Sequence, residues 1–459
     1  MTRVLERTAF ADFLARNDRE SIRVALTAIH PADAAAILAG MPAEQAARAL
    51  SALADRKAAE ILGFLELDRQ GELVAALGRA DLVRIVSAMA HDERADLFNR
   101  LSEAERATLL PALAAAERED IRKLASYPEG TAGSIMTSDY AALGPELSVG
   151  EAIAKLRKEA PDKETIYDAY VVDEGRRLVG VVSLRDLLLA SDDARVGDIM
   201  RREVIFARVE DPRELVAQKI AEYDLLALPI VDGGAMLVGI VTVDDAMDVA
   251  ERAQARRLVR FGGTTTLGGP DLDILRSRFR ELFGQRFFWL ALLTLFGILT
   301  SHVVAAQSAV LEEIVILAAF MAPIIDMGGN TGSQSATLVI RAMALGQVQT
   351  LWRDFFLVLR RDLLVALALG LAVAALEVAL AFLTKDVSPE VLLVVGLAML
   401  VVTAAGSLIG LALPFAARLV KADPATLSAP VITSIMDLLG VLIYFGLAWL
   451  FLGDLLRAG

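Results

Sequence analysis

The chain has 459 residues, 55% of them apolar and 23% charged, and a formal net charge of −13. It contains no cysteine, which excludes disulfides and thiolate metal sites. The acidic excess argues against nucleic acid as a partner and suits cations, and His30, His91 and His302 are too scattered for a zinc cluster.

These averages join two unlike parts. Residues 1 to about 280 are charge-rich and helical in pattern, whereas residues 287 to 452 are mostly Leu, Val, Ala, Ile and Phe. That is the composition of a soluble part followed by a membrane part. Met1 to Arg23 is charged throughout and has no signal-peptide pattern, so the soluble part is expected to stay in the cytosol.

Residues 33–113 repeat. Asp33–Met41 realigns with Lys57–Leu65, Asp81–Met89 and Glu105–Leu113, a period of 24 (57−33, 81−57, 105−81). Apolar residues recur at Ile37/Ile61/Ile85/Leu109, at Leu38/Leu62/Val86/Leu110 and at Met41/Leu65/Met89/Leu113. Each unit fits two short helices, and stacking the units gives a superhelical array. Asp92 and Asp96 stand four apart on one helix face. On spacing alone they read as an ordinary solvated helix start.

A second repeat follows at an offset of 59. Val171-Val172-Asp173 matches Ile230-Val231-Asp232, and Leu178–Ser183 matches Leu237–Thr242. Each half reads as two strands joined by a polar turn and followed by a helix. The pattern resembles a tandem pair of CBS modules. In that family the segments Ser183-Leu-Arg-Asp186 and Thr242-Val-Asp-Asp245 sit where adenine nucleotides bind in some members and not in others. Ser183, Asp186, Thr242 and Asp245 are therefore the nucleotide candidates, with ATP as the ligand. A helical connector from Asp245 to about Phe261 leads on, with breaks expected at Gly262-Gly263 and Gly268-Gly269-Pro270.

Hydropathy gives five spans, roughly Phe287–Gln307, Ile314–Met343, Leu359–Leu383, Val391–Ala417 and Ala429–Leu452. The second reads as interrupted by Pro323, Gly328, Gly329 and Gly332, a feature tolerated only where backbone is buried in protein or lines water. Arg276, Arg278, Arg280 and Arg286 precede span one. Arg341, Arg353, Arg360 and Arg361 lie between spans two and three, and Arg418 and Lys421 between four and five. The opposite side offers Lys385 and Arg457, so the N-terminus is expected inside and the C-terminus outside. Glu377, alone in span three, is expected to bond a neighbouring helix.

Polar residues gather at Asp326–Ser335 and from Asp423-Pro424 through Thr433, Ser434 and Asp437. Asp437 sits in an apolar run, where a carboxylate costs about 3 kcal/mol on insertion scales. Either it bonds a Ser or Thr of a neighbouring helix, or it serves an ion path. Carboxylates, amides and carbonyls suit Mg²⁺ or Ca²⁺, and Mg²⁺ sheds water reluctantly, so few carboxylates could hold it hydrated. One Asp per chain is thin for a divalent ion, whereas a twofold dimer would bring two to a shared axis.

The order of parts resembles the MgtE magnesium channels over essentially the whole chain. The stretches that carry the resemblance are Tyr127–Gly133, Gly328-Gly329-Asn330-Thr331-Gly332-Ser333-Gln334, and Asp423-Pro424-Ala425 followed by Pro430 and Asp437. It implies a multi-domain α-helical membrane protein: a cytosolic α-superhelical N-domain, an α/β CBS pair and five transmembrane helices. The expected division is 1–130, CBS modules at 131–197 and 198–244, a connecting helix and linker at 245–275, and a pore domain at 276–459. It also implies a homodimer in the inner membrane, C-terminus periplasmic, with Mg²⁺ as both substrate and regulator. Asp437 matches the pore aspartate, Asn330 lies near the pore entrance, and Asp326 and Thr433 are placed beside them. Asp92 and Asp96 match the N-domain sensing pair, with Glu214, Asp224, Asp245, Asp248 and Glu251 as candidates on the CBS and connector side.

The connector departs from the family pattern. Positions 256 and 257, where acids are expected, are Arg256 and Arg257. Arginine cannot ligate Mg²⁺ but pairs directly with carboxylates. Gating by Mg²⁺ is then expected to weaken, with these two residues as built-in counter-cations. No P-loop, transport-ATPase phosphorylation motif or Ser/His/Asp grouping occurs, so the chain is expected not to be an enzyme. A passive channel leads; a carrier coupled to Na⁺ or H⁺ and a nucleotide-responsive sensor that conducts nothing are the alternatives.

Overall fold

The computed structural model describes residues 19–262, 277–349, 351–384, 387–420, 422–424 and 429–453. Lys385, Lys421, Arg276, Arg457 and the expected breaks at Gly263 and Gly268-Gly269-Pro270 lie outside them. The chain divides into two compact units, Met1–Glu251 and Arg252–Gly459.

In the first unit the 24-residue period becomes helix pairs. The helices are α1 (Arg19–Thr27), α2 (Pro31–Ala39), α3 (Ala43–Ser51), α4 (Asp55–Gly63), α5 (Leu67–Ala76), α6 (Arg79–Ser87), α7 (His91–Arg100), α8 (Glu103–Leu109) and α9 (Ala115–Leu124). From α1 to α8 each packs on the next but one, the geometry of a solenoid. Leu38, Leu50, Ile61, Leu62, Leu73, Ile85 and Leu97 are fully buried in one continuous core. Each contributes on the order of 2 kcal/mol. Helix starts are specified locally. Ser102 Oγ accepts from Glu105 N at 3.4 Å, and Glu105 Oε2 accepts from Ser102 N at 2.8 Å, a reciprocal cap that opens α8.

The 59-residue repeat becomes two small sheets. β1 (Tyr140–Leu143) runs parallel to β2 (Thr165–Val172), which pairs antiparallel with β3 (Leu178–Ser183). α10 (Val149–Glu159) crosses from β1 to β2, and α11 (Leu184–Leu189) and α12 (Val196–Ile199) follow β3. The second half repeats this with β4 (Ala207–Arg208), α13 (Arg213–Glu222), β5 (Ala227–Val231) and β6 (Leu237–Thr242). The polar turns match. Asp173 Oδ1 accepts from Gly175 N and Asp232 Oδ1 from Gly234 N, and Arg176 and Ala235 both take positive φ, at 60° and 59°. The two turns bond each other: Leu178 N donates to Ala235 O and Leu237 N to Arg176 O, both at 3.0 Å. α14 (Val243–Phe261) then leaves the second half.

Among the described residues the second unit holds five helices long and apolar enough to cross a membrane. α15 (Phe279–Ala305) is followed by a short α16 (Ser308–Glu313), then α17 (Ala318–Ala344), α18 (Trp352–Thr384), α19 (Pro389–Leu419) and α20 (Ala429–Leu452). α15 and α18 begin about two turns before the hydropathy boundaries, because their first turns carry arginines that a span scale rejects. α17 corrects an expectation. It is continuous through Pro323 and its glycines. The glycines serve packing instead: a β-carbon on Gly406 would collide with the carbonyl of Gly328, and one on Gly410 with that of Gly332. α19 is thereby central, in contact with α17, α18 and α20. Glu377 is half-buried and makes no hydrogen bond or ion pair among the described residues, contrary to expectation.

Candidate ion path and acidic cluster

One face of α17 is polar along the middle of the span. Asp326, Asn330, Gln334 and Thr337 follow at steps of four, four and three residues, and all are exposed in the single chain. Asn330 Nδ2 donates to Asp326 Oδ2 at 2.9 Å, so the two share that face. The packed face carries Gly328, Gly329, Gly332 and Ser335, all buried. Lipid offers no partner to an exposed row of acid, amides and hydroxyl, so such a row must meet water or protein.

α20 lies alongside. A β-carbon on Gly329 would stand 2.8 Å from Thr433 Cγ2. Thr433 Oγ1 donates back to Pro430 O at 2.9 Å, which leaves its oxygen lone pairs able to accept. Asp437, one turn on, is half-buried. No Ser or Thr hydroxyl bonds it among the described residues.

The second concentration of acid is in the first unit. Asp92 and Glu93 open α7, Glu164 precedes β2, and Asp244 and Asp245 open α14. Burial pushes the Asp92 carboxyl up, and the charges of Glu164 and Asp96 add to it. Glu93 is pushed up to about 8 by burial, then by Asp92, Glu164 and Asp245. Burial raises Asp245 as well, followed by Asp92, with Asp244 and Asp248 contributing. Asp92 Oδ1 is enclosed and has no hydrogen-bond partner among the described residues. An orphaned anionic oxygen among like charges fits a cation. The ligand shell is open, however: no three His, Asp or Glu among the described residues stand close enough to share one metal ion. An ion here would keep much of its water.

The solvated reading of Asp92 is therefore overturned, and Asp96 and Asp248 join its surroundings through Asp92 and Asp245. Glu214 lies 3.6 Å from Arg213, Asp224 is exposed with φ 51°, and Glu251 is exposed on α14. The spacing of the repeats did not reveal Glu93, Glu164 or Asp244. Beside them, His91 Nδ1 meets Asp120 Oδ2 at 2.6 Å and Ser138 Oγ at 2.7 Å, and Nε2 meets Asp139 Oδ2 at 3.2 Å. Burial lowers the His91 pKa, but Asp120 and Asp139 outweigh it and the net shift is upward.

Three family models match the chain. A divalent cation transporter model named MgtE covers residues 321–447, an MgtE intracellular N-domain model covers 29–130, and CBS domains cover 132–193 and 196–252. The magnesium transporter MgtE of Thermus thermophilus is 40% identical over 333 residues, 72% of each chain. The chain belongs to the MgtE family of magnesium transporters. That of Enterococcus faecalis is 34% identical over 72% of this chain and 71% of its own. Two solved structures of magnesium-transporting proteins are similar to part of the chain. The soluble part of a magnesium transporter gives a TM-score of 0.51 at 31% identity, over 55% of this chain and 99% of that one. The cytosolic domain of the Mg²⁺ channel MgtE in complex with ATP gives 0.51 at 38% identity, over 53% and 99%.

Within this MgtE chain the nucleotide candidates part ways. Ser183 Oγ accepts from Asp186 N at 3.1 Å, the cap that opens α11. Asp186 lies near Asp168, whose carboxyl is raised by burial and drawn back by Arg201. An open cleft lined by Gly197, Asp198, Met200, Arg201, Arg202 and Glu203 lies at the end of this half. In the second half Thr242 Oγ1 donates to Asp245 Oδ2 at 2.8 Å, and Asp245 belongs to the acid cluster. On the connector, Arg256 Nε reaches Arg252 O at 3.4 Å and Arg257 is exposed. It is Arg260 that meets a carboxylate of the span four to five loop, Asp423 Oδ2, at 2.7 Å.

Proposed function

We propose that this transporter is a Mg²⁺-selective channel for passive uptake across the inner membrane, gated by its cytosolic part. The polar face of α17 beside Asp437 carries the reading. Two such faces on a twofold axis would enclose water, double the carboxylates and hold a hydrated divalent ion with Asn330, Asp326 and Thr433 nearby. A membrane potential supplies about 4.6 kcal/mol per 100 mV to a doubly charged ion, so no coupled gradient is required. The expected result is Mg²⁺ current across a planar bilayer that persists without Na⁺ and at equal pH on both sides. Transport that stops without either gradient, at carrier rates, would assign the chain to the coupled alternative.

In this reading the domains divide as the repeats do, at about 130, 197, 244 and 275, and Mg²⁺ acts on the acids around Asp92 and Asp245. The ionised acids repel, and a bound cation bridges them and favours closure. ATP, present in the related cytosolic domain, is placed here at the first CBS half, with Ser183 and Asp186. The acids around Asp245 repel a phosphate at the second.

Part of closure in this proposal is Mg²⁺-independent. Arg256 and Arg257 supply charge on the connector, and the Arg260–Asp423 pair ties the same helix to the loop before α20. A half-exposed ion pair is worth up to about 1 kcal/mol, roughly fivefold in an open–closed equilibrium. Patch recordings without internal Mg²⁺ are expected to show a several-fold higher open probability in Arg260→Ala. In Arg256→Ala/Arg257→Ala more Mg²⁺ is expected to be needed for closure. Wild-type Mg²⁺ dependence in both variants would remove the arginines from the gate.

A further inference from the structure

α18 has two unlike faces. Ala366, Gly370, Ala374 and Ala381 are buried, a small-residue row that packs on α19. The other side exposes Leu357, Leu364, Leu367 and Leu371 at 55%, 62%, 41% and 64%, which is a lipid-facing stripe. Toward the N-terminus the same stripe continues through Arg360, Phe356 and Arg353, all exposed, with Arg361 adjacent. Trp352 is 70% exposed and its ring lies 6.3 Å from that of Phe356.

Length places these residues against the bilayer. The helix has 33 residues, roughly 50 Å, whereas the hydrocarbon layer is about 30 Å thick. Counting back from Leu383, the hydrocarbon layer ends near Arg360 and Arg361. Trp352, Arg353 and Phe356 then stand at headgroup depth, where indole and arginine partition well.

The local acids offset this charge only in part, and they do not pair with the arginines. Asp354 Oδ2 accepts from Gln349 N at 2.8 Å, and Asp362 Oδ2 accepts from Ser407 Oγ at 2.6 Å. Among the described residues Arg353, Arg360 and Arg361 enter no ion pair. Three guanidinium groups with their carboxylate neighbours engaged elsewhere, bracketing aromatic rings above an acyl-facing stripe, are complementary to an anionic headgroup with its chains attached. The preference for arginine at this side of a membrane orients a protein during insertion but does not require the acids to be turned away.

We propose that the N-terminal turns of α18 form a binding site for the headgroup phosphate of an anionic phospholipid. Arg353 and Arg360 contact the phosphate, Arg361 lends charge, Trp352 and Phe356 pack against the headgroup, and the exposed leucines Leu364, Leu367 and Leu371 face the acyl chains. The occupant is a lipid rather than free phosphate because the stripe continues into hydrocarbon-facing leucines.

The full-length protein should be purified into phosphatidylcholine nanodiscs doped with phosphatidylglycerol, and the enrichment of phosphatidylglycerol around it measured by mass spectrometry. Enrichment is expected in the wild type and is expected to fall about fivefold per arginine in Arg353→Gln/Arg360→Gln, equivalent to ~1 kcal/mol for each charge at an anionic surface. Arg353→Lys/Arg360→Lys is expected to recover most of it. Unchanged thermal unfolding of the Gln variant in pure phosphatidylcholine separates lost binding from misfolding. Equal enrichment in wild type and Gln variant would overturn the proposal. So would equal competition by soluble inorganic phosphate, which would mark an anion site. Cross-linking of Phe356→Cys to its own copy in a second chain would overturn it too, since protein would then cover the face.

Discussion

Replacing Asp437 by Ala or by the isosteric Asn is expected to cut Mg²⁺ flux into liposomes at least tenfold while leaving the protein as stable or more so. The two expectations arise from the same residue by opposite routes. At an effective dielectric constant of about 20, a carboxylate attracts a divalent ion a few ångströms away by several kcal/mol, and each 1.4 kcal/mol lost at an ion site is a factor of about ten. Stability moves the other way. A carboxylate within a span costs about 3 kcal/mol, and Asp437 recovers none of it through a Ser or Thr hydroxyl among the described residues. A structural acid would behave in reverse: its removal would unfold the helix packing first and lower flux only as a consequence. Flux and thermal unfolding measured on the same reconstituted Asn variant separate the two cases. Flux within twofold of wild type would end the pore reading of Asp437.

Much of this architecture is written in repeats and runs. The periods of 24 and 59 each mark a unit that cannot bury its apolar face alone, so Leu38, Leu62 and Val86 reappear where the next helix must be covered. Hydropathy located the spans for the same reason, and the last one runs from Ala429 to Leu452 as expected. What periodicity does not contain is contact between distant segments. β1 and β4 escaped notice because they are four and two residues long and pair in parallel with strands reached only through a crossover. Gly328 and Gly332 looked like breaks because the glycines that face them, Gly406 and Gly410, lie on another helix. The site follows the same rule. Asp437, Asp326 and Asn330 announce themselves as polar groups in an apolar run. Glu93 and Glu164 are ordinary surface acids in sequence, and only the fold puts them beside Asp92 and Asp245. Arg260 likewise became the connector arginine of interest when its carboxylate partner, Asp423, came into view from 163 residues away.

In the proposed function, the acid cluster would make the N-terminal part a joint sensor of Mg²⁺ and pH, with a calculable sign. Asp92, Glu93 and Asp245 all have folded-state pKa values above those of free carboxylates, Glu93 reaching about 8 from 4.5. A group raised in this way contributes its full share of stability below its unfolded pKa and loses it as pH climbs through the folded value. Between about pH 4 and about pH 8, in Mg²⁺-free solution, the contacts of α7 with the start of α14 are therefore expected to loosen as the acids ionise and repel. Magnesium should reverse this only where the acids are ionised. A ligand at a hundredfold excess over its Kd stabilises the form that binds it by about 2.7 kcal/mol, or roughly a hundredfold in the local opening equilibrium. Trp289, Trp352 and Trp449 all lie on helices of the second unit, so tryptophan fluorescence reports on the wrong part of the molecule. Amide hydrogen exchange over His91–Arg100 and over the first two turns of α14 reads the contact directly. Mg²⁺ is expected to slow exchange there by one to two orders of magnitude at pH 8, after correction for intrinsic rates, and hardly at all at pH 5. Na⁺ at equal ionic strength should give a small part of the effect, because screening alone does not bridge two carboxylates. In Asp92→Asn both the loosening with pH and the response to Mg²⁺ should shrink together, since the enclosed Asp92 Oδ1 is the oxygen left without a partner among the described residues. Equal Mg²⁺ protection at both pH values would show that the ion acts elsewhere, and loss of the pH response alone would show that protons and Mg²⁺ do not share these oxygens.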